Sequence, residues 1–93
     1  MKQAIMLNSK DNVATALKKI DKNEQVAVVS SSKEEVTNLE AKQEIPFGHK
    51  LSLTAIKKGE PILKFGERIG TASQNISVGD YVHVHNVESN IAK

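Results

Sequence analysis

Ninety-three residues, 39% hydrophobic and 26% charged, are enough for one small globular domain with a modest core, taken here as residues 1–93. They are too few for a Rossmann domain with its substrate domain or for a (β/α)8 barrel. The formal charge is only +2, Arg68 is the sole arginine, and the aromatics are limited to Phe47, Phe65 and Tyr81, so a basic nucleic-acid surface with stacking rings is excluded.

Residues 3–7 (QAIML) read as a short first strand. Residues 11–20 place Val13, Ala16, Leu17 and Ile20 at helical spacing, which predicts a short amphipathic helix started by Asn8, Ser9 or Asp11. Residues 25–29 (QVAVV) predict a buried strand, giving a β-α-β beginning. The polar SSSKEE at 30–35 is a loop, and VTNLEA at 36–41 another strand. From residue 45 onward glycine and proline punctuate short apolar pieces, KLSLTAI, ILKF, RIGTA and YVHVHNV, the pattern of strands joined by tight turns. Residues 36–87 therefore read as a compact all-β unit, and the fold class is mainly β (α+β) with one short N-terminal helix. No repeat of fixed period stands out.

Neither the N-terminus nor any internal stretch approaches a signal h-region or the roughly 20 apolar residues of a membrane span. With no cysteine in the chain, thiolate chemistry and disulfide staples are excluded and a cytoplasmic location is expected.

The chemistry-bearing residues gather in the turn-rich half. In YVHVHNV, strand alternation puts Tyr81, His83 and His85 on one face and Val82 and Val84 on the core face. Imidazoles at i and i+2 stand about 6.5–7 Å apart, within reach of one divalent metal ion or one anionic substrate. The plain alternative is two solvated side chains. His49 completes a metal trio only if the Gly48 turn lies beside the last strand. In IPFGHK (45–50), Pro46 stiffens a turn that carries His49 and Lys50, either as functional groups on a rigid frame or as wet hairpin residues. KFGERIG lacks the G-x-G pair of a dinucleotide fingerprint, and no serine sits in a G-x-S-x-G elbow. Glu60, Glu67 and Asp80 read as turn formers and solvated charges.

Several of these runs in order, Ile45-Pro46-x-Gly48-His49-Lys50, Lys58-Gly59-Glu60-Pro61, Lys64-Phe65-Gly66, Ile69-Gly70 and Val82-His83-Val84-His85-Asn86, resemble the N-terminal domain of the altronate and galactarate dehydratases. The small subunit of sulfolactate sulfo-lyase looks similar. What the resemblance implies is a SAF-type domain of β-clip fold, related to type III antifreeze proteins. It implies the small subunit of a lyase (dehydratase) acting on sugar acids or related hydroxy-carboxylates, inactive alone and docked on a large dehydratase subunit. A divalent metal, iron or manganese, is implied for the assembled enzyme, held mainly by that large subunit. Carried onto this sequence, the family's motifs make His49, His83 and His85 the catalytic candidates, with His83 and His85 also able to touch metal. Lys50 and Asn86 become substrate-binding candidates for a small carboxylate. Phe65 departs from the family's frequent tyrosine. The competing readings are a non-catalytic module binding a carboxylated ligand or partner protein, and an ice-binding surface, which the lysine-rich exterior argues against.

Overall fold

The computed structural model describes residues 2–89 and builds them from strands and tight turns. In chain order these are β1 (Ala4–Met6), β2 (Val13–Ala16), β3 (Gln25–Ser30), β4 (Glu35–Glu40), β5 (Lys50–Ser52), β6 (Pro61–Lys64), β7 (Glu67–Ala72), β8 (Tyr81–Val82) and β9 (Val87–Ser89). One sheet has the order β4-β3-β1-β2-β5-β8 and the other β6-β7-β9. β1 runs parallel to β3; the remaining neighbours are antiparallel.

The described residues contain no helix, so the helix expected over 11–20 is corrected to β2 and the turns around it. The reason is that β2 is a central strand with β1 on one edge and β5 on the other. Its two faces serve different cores. Ala14 and Ala16 join Ala4, Ile20, Val26, Val28, Leu39, Ile45 and Leu51, while Val13 points into a second cluster with Ile56, Ile62, Ala72, Ile76 and Val82. A strand buried on both faces shows no alternation, and its apolar run mimicked a helical stripe. Leu17, which a helix would have buried, is 44% exposed.

Asp11 does accept backbone N–H groups, but not those of a helix. Its buried carboxylate takes the N–H of Asn8 at 3.1 Å, of Phe65 at 3.0 Å and of Gly66 at 2.8 Å. Asn12 beside it accepts the Leu63 N–H at 2.8 Å and donates to the Pro61 carbonyl at 2.9 Å. Two adjacent polar residues thus tie the β6–β7 hairpin to the start of β2.

One turn recurs four times at irregular intervals, and so escapes a search for a fixed period. Each begins at a buried isoleucine: Ile20, Ile45, Ile56 and Ile76, which bridge in the pairs Ile20↔Ile45 and Ile56↔Ile76. The fourth residue has positive φ: Asn23 (70°), Gly48 (85°), Gly59 (93°) and Gly79 (87°). The fifth donates its N–H to the carbonyl of the second: Glu24 to Asp21, His49 to Pro46, Glu60 to Lys57 and Asp80 to Ser77. In three of the four, that fifth residue is an acid whose carboxylate also accepts the N–H of the second, at 2.9 Å for Glu24, 2.9 Å for Glu60 and 2.7 Å for Asp80. Glu60 and Asp80 are therefore turn formers, as the sequence suggested. The Asp21 N–H, with help from the Gln3 side chain, holds the Glu24 carboxyl below its ordinary range.

Candidate functional site

The exception among the four turns is the one at 45–49. Its second residue is Pro46, which has no N–H to be capped. An acid in fifth place would have nothing to accept there, and the position holds His49 instead. Released from turn closure, the imidazole reaches Tyr81, with His49 Nδ1 2.6 Å from the Tyr81 hydroxyl. The contact follows from topology. β5 pairs with β8 in the register Lys50↔Val82 and Leu51↔Tyr81, so the Gly48 turn does lie beside the last strand of the six-stranded sheet.

Around Tyr81 the three histidines converge. Ring centroids of His49 and His83 are 4.9 Å apart. Those of Tyr81 and His83 are 5.4 Å apart and nearly parallel at 10°, and those of Tyr81 and His85 are 5.6 Å apart.

The route by which His83 and His85 get there differs from the sequence expectation. They do not share a strand face. β8 ends at Val82, and residues 83–86 form a turn before β9. Val82 is fully buried as expected, but Val84 is 80% exposed. Asn86 explains the turn. Its Oδ1 accepts the His83 N–H at 3.0 Å, its Nδ2 donates to the Tyr81 carbonyl at 2.9 Å, and its own N–H donates to the His83 carbonyl at 3.1 Å. This is the same side-chain closure that the acids give in the recurrent turns. Asn86 is buried and each end of its amide makes one bond to backbone, so it shapes the turn that carries His83 and His85.

Lys50 is half-buried next to His49. Burial, reinforced by the charge of Lys64, holds its ammonium below the ordinary lysine range. His83 is likewise held below the ordinary imidazole range, by loss of solvent first and then by the nearby charges of His49, Lys50 and His85. A shallow groove of about 250 Å³ opens alongside, lined by Lys50, His83, Ser89 and the apolar Ile69, Val84 and Val87. One cationic side chain, one imidazole and one hydroxyl in a groove walled by Ile69, Val84 and Val87 suit a carboxylate.

A metal fits less well. Among the described residues no three His, Cys, Asp or Glu side chains are placed to hold an ion, and His49 spends one ring nitrogen on Tyr81. Phe65 sits at φ 58° in the β6–β7 hairpin, its ring 65% exposed and its N–H held by Asp11.

Of the five sequence candidates, the structure brings His49, Lys50, His83 and His85 to one edge and places Asn86 beneath them. The residue that sequence reasoning passed over is Tyr81 as a hydrogen-bond partner. The available signal was Pro46 in a turn whose siblings all carry a capping acid.

No helix of the described residues is long and apolar enough to cross a membrane. The chain is 40% identical over 92 residues to an altronate dehydratase of Bacillus subtilis and 37% identical over 90 residues to one of Escherichia coli. It covers 99% and 97% of itself in these matches but spans only 17% of the length of each relative. It is also 43% identical over 51 residues to the (2R)-sulfolactate sulfo-lyase subunit alpha of Paracoccus pantotrophus, covering 55% of this chain and 76% of that subunit. These relatives are lyases, and the last is one subunit of a larger assembly. The altronate/galactarate dehydratase SAF domain model matches residues 2–90, and the chain belongs to that family.

Proposed function

We propose that this chain, as one β-clip domain, is the small component of a cytoplasmic carbon–oxygen lyase that dehydrates a sugar acid such as altronate or a related hydroxy-carboxylate. On this reading a large dehydratase chain completes the site. Lys50 binds the substrate carboxylate, and His49, His83 and His85 supply donors and proton carriers at the oxygen and carbon that react. The divalent iron or manganese that the family resemblance implies belongs to the large chain, where it would polarise carboxylate and hydroxyl. The observation that carries the reading is that Lys50 and His83, distant in sequence, line one groove, with the His49 ring 4.9 Å behind His83.

The test is reconstitution. The chain is mixed with the large dehydratase-like chain of the same organism and assayed for release of water from altronate and galactarate, and of sulfite from sulfolactate. Activity should require both chains. It should fall at least about 100-fold in His49→Ala or His83→Ala, with the melting temperature kept. A large chain fully active without this one overturns the proposal. A second reading, a carboxylate-binding module without catalysis, draws on the half-buried Lys50 beside apolar walls. It predicts saturable binding of a carboxylate by the 93-residue chain alone and turnover unchanged in the histidine variants.

A further inference from the structure

The 2.6 Å separation between His49 Nδ1 and the Tyr81 hydroxyl is shorter than the usual N–H···O range and falls within that of O–H donors. A phenol is also the better donor and the poorer acceptor of the two groups. Both points favour Tyr81 O–H donating to an unprotonated Nδ1, the arrangement in which the proton of neutral His49 sits on Nε2.

The Tyr81 ring is itself pinned. Its backbone N–H donates to Gln43 Oε1 at 2.8 Å and its carbonyl accepts Asn86 Nδ2 at 2.9 Å. One face runs parallel to His83. Pro46 removes the group that would otherwise pull the residue at position 49 back into its turn. His49 is thus released by Pro46 and captured by Tyr81.

We propose that Tyr81 is a positioning residue. Its hydroxyl fixes the tautomer and orientation of His49 so that Nε2–H is presented as a hydrogen-bond donor, assigning His49 the role of donor to a substrate oxygen and not of base. The proposal rests on the lyase reading only for the identity of that oxygen; the tautomer is a property of the chain itself.

The experiment is a long-range proton–nitrogen NMR spectrum of the uniformly labelled 93-residue chain, recorded at a pH where His49 is neutral. The wild-type His49 should show Nδ1 as a bare acceptor and Nε2 as the protonated nitrogen. Tyr81→Phe keeps the ring and both backbone bonds and should turn that single form into a mixture. A wild-type Nδ1–H form, or a Tyr81→Phe spectrum identical to wild type, overturns the proposal; the first result needs no variant. In the reconstituted lyase, Tyr81→Phe should lower kcat roughly 10- to 100-fold with little change in KM. If the wild-type pair shows no turnover, the lyase reading fails while the spectrum still decides the role of Tyr81.

Discussion

The carboxylate of Asp11 accepts the backbone N–H of Gly66 at 2.8 Å, although the two residues are 55 positions apart. The same side chain holds the N–H of Phe65 and of Asn8, so one buried acid closes its own loop and the distant β6–β7 hairpin.

Asp11→Ala leaves three backbone donors without their acceptor. The expected cost is about 1–3 kcal/mol, since the donors are part-buried and water restores only some of the solvation the buried carboxylate supplied. Urea unfolding measures it. A loss below about 0.5 kcal/mol would show that water replaces the carboxylate freely.

Gly79 and Gly59 occupy equivalent turn positions but should respond differently to alanine. Both have positive φ. At Gly59 a Cβ meets open space, so Gly59→Ala carries only the left-handed backbone penalty, about 1 kcal/mol. At Gly79 the new Cβ would collide with the Glu40 carbonyl oxygen, which is backbone and cannot swing away. Gly79→Ala should cost at least about 2 kcal/mol more than Gly59→Ala. Equal melting temperatures for the two variants would contradict the close approach.

Pro46 and His49 should prove energetically coupled. Pro46→Ala introduces an N–H with no acid to accept it and loosens the unfolded chain, for an expected loss of about 0.5–1 kcal/mol. Adding His49→Glu rebuilds the closure seen at Lys57–Glu60, and the double variant should recover most of that loss. A double-mutant cycle by thermal unfolding gives the coupling. A value of zero or of the opposite sign removes the claim that proline released the histidine.

Acid should weaken the fold in two steps. The folded pKa of His83 lies below its ordinary 6.5, so between those values the unfolded chain binds more protons. Its contribution is therefore complete above pH 6.5 and is lost as pH falls through the folded value. Glu24 behaves alike below its ordinary 4.5. Melting temperatures across mildly acidic pH should decline in wild type and decline less in His83→Gln. A steeper decline in that variant would reverse the assigned direction.

How far the sequence carried this far differs by element. β3 and β4 were legible because β3 is a valine run and β4 follows a polar loop, and the structure moves their bounds by only a residue or so. The glycine and proline turns of the second half were legible because their backbone chemistry is local. β2 was not, because double-sided burial erases the period that distinguishes strand from helix. The end of β8 was not, because a valine at position 84 looks like core and only the Asn86 amide, closing on Tyr81 and His83, reveals a turn. The proximity of His49 to the last strand depends on the β5–β8 pairing, a long-range fact that no local pattern encodes.

β8 pairs with β5 at two positions, Lys50↔Val82 and Leu51↔Tyr81, and the turn before it adds backbone bonds from Ser52 to Asp80 and from Gly79 to Ser52. So short a seam at the sheet edge should let its amides exchange with solvent sooner than those of Val26 or Val28, with the burial of Val82 in the second cluster setting the cost of opening it. Opening there would separate His49 from its phenol partner. Anything that grips both sides of the seam at once would hold the histidine cluster assembled, and would itself be held more tightly once the seam is shut.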